Sequence, residues 1–295
     1  MPNLLRFFLT GILAGLLLLA IGLVDTGMIN NFIASHVQYP DNLTPTNDLL
    51  APSNDNLSLL STDATLNVNT TPTLFTDQAL AYEPANEDVS TAHKIAYLTF
   101  DDGPSEAVTL KILDTAKAYQ IKLTFFVLGS KVEKKPEIVQ RAVSEGHTIG
   151  NHSYSHHYRT IYKSAENLMS EINQCAEILE ATIGFRPTIF RAPGGSRPFL
   201  SPEFIEQLTT AGYQYYDWNV CPGDSVGKPK PTQTLIDNVL KQAQGKDRIM
   251  VLLHDSPNMH NTAEALPAII EGLQEMGFTF APITSTTEPI QFGQP

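Results

Sequence analysis

From Lys94 to the C-terminus, short apolar runs alternate with helix-length amphipathic stretches, and few folds accommodate that alternation. The runs Ile95–Phe100, Leu123–Leu128, Thr148–Asn151, Thr188–Phe190, Tyr215–Val220, Ile249–Leu253 and Phe278–Ala281 predict strands. Between them Val108, Ile112 and Ala116 share one helical face, as do Leu168, Ile172, Cys175 and Leu179. Pro136–Glu145, Pro202–Ala211, Thr232–Gln242 and Glu264–Met276 predict further helices, the first opening on a proline that an initial turn tolerates. The pattern implies parallel βα units and an α/β fold. Seven or so units in about 190 residues suit a distorted (β/α) barrel of about seven strands, with a doubly wound open sheet as the other candidate.

Chemistry-bearing residues gather where these strands end. Asp101 and Asp102 follow the first, His152 and His156 the third, Arg191 the fourth, Asp224 lies past the fifth, and His254 ends the sixth. In βα barrels the C-terminal ends of the strands form the functional face, so five strands deliver ionisable groups to one rim. Each cluster alone has a plain structural reading. Asp-Asp-Gly-Pro makes a polar turn, the histidines open a surface loop, and Arg191 forms a salt bridge beside a flexible Ala-Pro-Gly-Gly stretch. Together they suggest more. Adjacent carboxylates at a strand exit diverge, so one of Asp101 and Asp102 can ligate a metal while the other faces substrate. Histidines at i and i+4 fit one face of a helical turn and a single ion. Two imidazoles and a carboxylate leave an open coordination position. His36, His93, His147, His157 and His260 show no partner pattern. Cys175 sits on an apolar helix face and reads as core; with Cys221 it makes a disulfide an outside option. Trp218 fits either a sugar site or the core.

The N-terminal third differs. Phe7–Val24 is 18 residues without a charge, preceded by Arg6, and no Lys or Arg follows until Lys94. A helix of that length spans roughly 27 Å, close to a hydrocarbon core. The charge asymmetry places everything after it outside the cytoplasm, whether the run is an uncleaved transmembrane anchor or a cleaved signal. Asp25–Ala92 carries nine acidic residues, no basic one, and little periodicity, the composition of a disordered stalk. The expected boundaries are 1–24 for the anchor or signal, 25–92 for the linker, 93–285 for the catalytic domain and 286–295 for a C-terminal tail. A net charge of −12 argues against nucleic-acid binding, which needs a basic surface.

Thr99–Pro104 (TFDDGP), His152–His156 (HSYSH), Arg191–Gly195 (RAPGG), Asp224 and Leu252–His254 (LLH) occur in the order found in the polysaccharide deacetylases, and residues 94–284 resemble that family, the NodB-homology or carbohydrate esterase family 4 domain. The resemblance implies that Asp101 is the general base, Asp102, His152 and His156 the metal triad, and Arg191 the partner of the base. It implies that Asp224 orients His254 as general acid, that the Gly194 N–H faces the oxyanion, and that Leu252 lines the pocket for the acetyl methyl group. Trp218 is carried as a further candidate for the sugar. Two departures stand out. Gly194 occupies a position where the family often has Tyr, so a ring wall is lost. Cys221-Pro-Gly-Asp224-Ser225 replaces an Asp-x-x-Asp-Trp pattern, which opens or re-walls the acetyl pocket.

The implied reaction is removal of N-acetyl groups from GlcNAc in an extracytoplasmic polysaccharide. Peptidoglycan is the first candidate, then chitin-like oligomers, then acetylated xylan, whose ester shares the tetrahedral chemistry. One divalent metal is implied, Zn²⁺ first, with Co²⁺ or Ni²⁺ also suited to these ligands. The expected partners are an acetylated polysaccharide and, through the N-terminal helix, a membrane. Two other classes stay open: an inactive carbohydrate-binding module on the same fold, and a metallo-phosphoesterase, which ordinarily needs more carboxylates or a second metal.

Overall fold

The computed structural model describes residues 94–293. The apolar run Phe7–Val24 and the acidic stretch Asp25–Ala92 lie outside the described residues. Among the described residues no helix is long and apolar enough to cross a membrane.

Seven strands form one parallel sheet: β1 (Ile95–Asp101), β2 (Thr124–Val127), β3 (Thr148–Asn151), β4 (Ile189–Phe190), β5 (Gln214–Tyr215), β6 (Arg248–His254) and β7 (Thr279–Phe280). The helices between them are α1 (Thr109–Ala118), α2 (Gly129–Val132), α3 (Pro136–Ser144), α4 (Tyr158–Ile161), α5 (Ala165–Ile183), α6 (Pro202–Thr210), α7 (Thr232–Ala243) and α8 (His260–Glu275). The strand order is β5-β4-β3-β2-β1-β6. β6 pairs along the whole of β1, so β2 and β7 share its other edge, at Thr99–Asp101 and Ile95–Ala96. Past β5 the chain reaches Val220, which bridges Val251 of β6 and brings the two ends of the order together. The expected barrel is therefore present in distorted form, closed on one side by a single bridge.

Side-chain alternation explains why this sheet curls around something. Ala96, Leu98 and Phe100 of β1, Phe125 and Val127 of β2, and Ile249, Val251 and Leu253 of β6 face the helices and form the large core. The alternate residues point inward. Tyr97, Phe126, Met250, Ile189, Tyr216, Ala281 and Ile283 fill the base of the barrel with a small apolar cluster. One step further along the strands come Thr99 and Leu252, and then Asp101 and His254 at the rim.

Several boundaries differ from the sequence expectation, each for a local reason. The expected strand Tyr215–Val220 stops at Tyr215. The Tyr216 and Asp217 carbonyls accept from Arg191, and the Asp217 N–H donates to the Ile290 carbonyl, so these groups are spent outside the ladder. α1 begins at Thr109, since the Ser105 N–H donates to the Thr109 hydroxyl and the Ser105 hydroxyl to the Asp255 carbonyl, which keeps Ser105 outside the helix. α5 starts where Ser164 accepts the Asn167 N–H and ends where Gly184 adopts φ 84°. Residues 287–292, read above as a C-terminal tail, pack on the domain. The Tyr216 hydroxyl donates to the Thr287 carbonyl, and Phe292 meets Trp218 edge-on.

Candidate active site

Strand register assembles the site. Asp101 and His254 are register partners on adjacent parallel strands and point to the same inner face. β3 ends at Asn151 and hands on His152; β4 ends at Phe190 and hands on Arg191. The residues singled out from five strand ends therefore do converge.

Asp102, His152 and His156 each present a ligand atom, and these atoms lie within 4.8 Å of one another. Asp102 Oδ1 is 3.6 Å from His152 Nε2 and 3.3 Å from His156 Nε2. That oxygen is buried and accepts no hydrogen bond. An orphaned carboxylate oxygen facing two imidazole nitrogens is costly unless a cation completes it, so the donor set fits a divalent metal. His152 Nδ1 lies 2.7 Å from the Arg191 carbonyl, which can only accept; Nδ1 therefore carries the proton and Nε2 offers its lone pair. Burial, and next the charge of His156, push the His152 pKa down to about 3, which keeps it neutral as a ligand must be.

The backbone achieves this differently from the expected helical turn. Asp102, Ser153 and His156 have φ of 75°, 74° and 62°, so the His152–His156 segment is a loop with left-handed residues rather than a turn of helix. Those conformations explain how neighbouring Asp101 and Asp102 diverge, and how residues four apart bring their rings to 5.2 Å. Glu171 of α5 holds the loop: its carboxylate accepts from the Tyr154 and Ser155 N–H groups and from the Ser155 hydroxyl.

Asp101 is buried beside this cluster, its Oδ2 3.7 Å from His152 Nε2. Arg191 Nη1 donates to Asp101 Oδ1 at 2.9 Å and to the Thr99 hydroxyl at 2.6 Å. The rest of the guanidinium is spent on the Tyr216 and Asp217 carbonyls, and its plane lies 4.2 Å over the Phe126 ring. Burial raises the Asp101 pKa above the usual carboxylate range. Arg191, then His254, lower it, but only in part, so the expected stabilisation by Arg191 operates without prevailing.

Across the rim, Asp224 Oδ1 lies 2.9 Å from His254 Nδ1, and Asp224 Oδ2 accepts from the His254 N–H at 2.8 Å and the Thr262 hydroxyl at 3.0 Å. Burial lowers the His254 pKa. The Asp224 hydrogen bond and charge, with Asp101 and Asp102, more than reverse this and lift it to about 9. His254 is thus a cation at neutral pH with Nδ1 committed to Asp224.

The remaining expected residues fall around this centre. Leu252 is buried one inward step below His254. Gly194 is exposed at φ 80°, in a turn closed by the Gly195 N–H to the Ala192 carbonyl at 2.8 Å. With Pro193 before it, this is the pattern of a type II turn, whose own hydrogen bond does not use the N–H of Gly194. Trp218 is half-buried, its ring 5.9 Å from the Arg191 guanidinium. Cys175 is buried in the core, Cys221 half-buried, and the two are free thiols, so no disulfide forms.

Sequence reading missed four polar supports. Glu171 is one. Asp217 accepts from Ser196 N–H and from the Phe292 N–H, tying two rim segments together. Asp255 is buried against Gly103, where a Cβ would lie 2.1 Å from its Oδ2. Thr262 completes Asp224. Only Glu171 left a signal, as a charged residue three places after Leu168 on an otherwise apolar helix stripe.

Comparison with known proteins gives the same picture. The family profile described as polysaccharide deacetylase matches residues 88–216. A peptidoglycan-N-acetylglucosamine deacetylase of Bacillus cereus is 34% identical over 192 residues, covering 63% of this chain and 68% of that one. The peptidoglycan-N-acetylmuramic acid deacetylase PdaC of Bacillus subtilis is 36% identical over 205 residues, covering 70% of this chain and 41% of its own length. The crystal structure of a Bacillus cereus polysaccharide deacetylase superposes with a TM-score of 0.63 at 33% identity, covering 68% of this chain and 97% of that one. With the site and the sequence in agreement, the chain belongs to the polysaccharide deacetylase family of hydrolases, which act on amide bonds.

Proposed function

We propose that the protein is a metal-dependent hydrolase that removes the N-acetyl group from GlcNAc residues of peptidoglycan outside the cytoplasm. The observation that carries the chemistry is the unpartnered Asp102 Oδ1 between two imidazoles, with the separate carboxylate of Asp101 alongside. A divalent cation held by Asp102, His152 and His156 would polarise the acetyl carbonyl and acidify water; Zn²⁺ is the first candidate, and Co²⁺ or Ni²⁺ suit the same donors.

The chain's own groups supply the proton traffic. Asp101, with its pKa raised by burial, is a stronger base than an exposed carboxylate and takes the proton from the attacking water. Arg191 fixes its orientation through the 2.9 Å bond. The Gly194 N–H faces the developing oxyanion; one such donor is worth about 3 kcal/mol. His254, protonated below about pH 9, gives a proton to the leaving amine, which cannot depart as an anion near neutrality. Leu252 and Trp218 would line the acetyl and sugar positions.

Three features support the cell-wall assignment. Relatives of this chain carry peptidoglycan substrates in their names. The apolar run Phe7–Val24, read as an anchor, would hold the protein at a membrane. The acidic stretch Asp25–Ala92 would let the domain reach the wall. The test is acetate release from peptidoglycan by the metal-loaded protein with and without chelator. Asp101→Asn should lower kcat by about 10²- to 10³-fold while metal affinity holds. Failure to release acetate from peptidoglycan, GlcNAc oligomers and acetylated xylan alike refutes the reading.

A further inference from the structure

The double glycine at the rim has aromatic rings on both sides. A Cβ on Gly194 would lie 2.7 Å from Phe199 Cε2, 2.8 Å from the Tyr158 hydroxyl oxygen and 2.9 Å from Tyr158 Cε1. On Gly195 it would lie 2.9 Å from Trp218 Cη2 and 3.0 Å from Phe292 Cε2. The space that a side chain at position 194 would take is therefore filled by Tyr158, from the segment just past His156. The ring wall expected to be missing at Gly194 is supplied from another element.

Tyr158 also differs from an ordinary surface tyrosine. Its ring meets the His156 ring edge-on at 5.3 Å and the Phe199 ring at 5.1 Å. Among the described residues, Tyr158 at 38% and Val226 at 65% are the large hydrophobic side chains left exposed. Tyr158 lies at the site, its ring against that of His156, one of the metal-pair histidines. Exposed apolar side chains at the edge of a polar, charged centre mark where a ligand's apolar surface is covered. A pyranose has such a surface in the C–H face of its ring.

We infer that Tyr158 is a specificity-determining residue of a glycan subsite beside the metal pair, stacking a GlcNAc-type pyranose adjacent to the one that reacts. The inference rests on the proposed deacetylase reading for its ligand class. The absence of side chains at Gly194 and Gly195 lets Tyr158 with Phe199, and Trp218 with Phe292, pack directly on the backbone, which fixes the Tyr158 ring and leaves its exposed face as the surface a sugar can cover.

The test uses the full-length protein loaded with zinc, with GlcNAc tetramer as the probe. Calorimetry reads tetramer affinity, and acetate release reads KM and kcat separately. Tyr158→Ala should weaken tetramer binding and raise KM by about tenfold, while kcat falls by less than about twofold. Tyr158→Phe, which keeps the ring, should restore both. Unchanged tetramer affinity in Tyr158→Ala overturns the inference. So does a loss of zinc affinity in parallel with tetramer affinity, which would make Tyr158 a support for His156. A wild type that binds no tetramer overturns it too. A wild type that binds tetramer in a Tyr158-dependent way yet releases no acetate refutes the deacetylase reading and leaves the subsite standing.

Discussion

The two poles of the site solve opposite problems with similar side chains. At one, Asp224 accepts from the His254 N–H, the His254 ring, the Thr262 hydroxyl and the Ser225 N–H, so both oxygens are satisfied by the chain itself. At the other, Asp102 Oδ1 is buried with two imidazoles at 3.3 and 3.6 Å and no donor. A carboxylate surrounded by donors is arranged to hold a proton on its histidine. One left open among lone pairs is arranged to hold a cation. The chain supplies donors where a proton must be kept and withholds them where a ligand must enter.

Breaking the open pole should have the largest effect. Asp102→Ala removes the one anionic ligand of the triad and should lower kcat/KM by at least about 10³-fold, with zinc affinity falling in parallel. The domain should still fold, because Asp102 makes no side-chain hydrogen bond through Oδ1 whose loss would expose a partner. Zinc titration and circular dichroism on the same sample separate these outcomes. Retained zinc affinity with lost turnover would move the cation away from Asp102 and leave the open pole without its ligand.

The closed pole should fail differently. Asp224→Asn should lower kcat by about 10²-fold at neutral pH while zinc affinity holds. Its pH profile gives the sharper test. His254 must be protonated to act, so kcat falls as pH rises through its pKa. Asp224 is the leading cause that lifts this pKa to about 9, so its loss lets burial prevail and moves the alkaline limb to lower pH. Stability follows the same linkage. The folded pKa exceeds the ordinary 6.5, so His254's contribution is fully present below 6.5 and is lost as pH rises through about 9. Urea denaturation of the chelated wild type should show that decline between those values, and the variant should show less of it. An unmoved alkaline limb would assign the acid to another group.

What the sequence showed of this site follows from which physical rules act locally. Strand exits are legible because apolar runs end abruptly, and Asp101, Asp102, His152, Arg191 and His254 were found that way. Asp224 lies four residues beyond Val220, in a loop with no period, so its pairing with His254 is legible only through the family resemblance; in the fold the bridge between Val220 and Val251 brings the loop beside β6. The His152–His156 spacing suggested a helical turn, yet non-glycine residues at positive φ, Ser153 and His156, shape a loop that spacing cannot distinguish from a helix. β5 was too long in prospect because the groups that end it, Arg191 and Ile290, are distant in sequence. Tyr158 carried no signal at all, since its role comes from filling space above Gly194.

Glu171→Gln offers the smallest expected effect and the most direct link between loop shape and the open pole. Glu171 touches neither the candidate cation position nor the substrate face. Its carboxylate holds the Tyr154 N–H, the Ser155 N–H at 2.7 Å and the Ser155 hydroxyl at 2.8 Å, and so sets the turn that carries His156 toward His152. Gln keeps the volume and one oxygen for the two N–H groups, but without the charge those bonds weaken, and its amide nitrogen forces the Ser155 hydroxyl from donor to acceptor. Supports of metal ligands typically contribute tenfold or more to affinity, so zinc binding should weaken by about tenfold. His152, fixed independently through the Arg191 carbonyl, should stay in place. The alkaline limb set by Asp224 and His254 should not move, because neither residue contacts this loop. A shifted limb in Glu171→Gln would mean that the two poles are mechanically coupled rather than separately built.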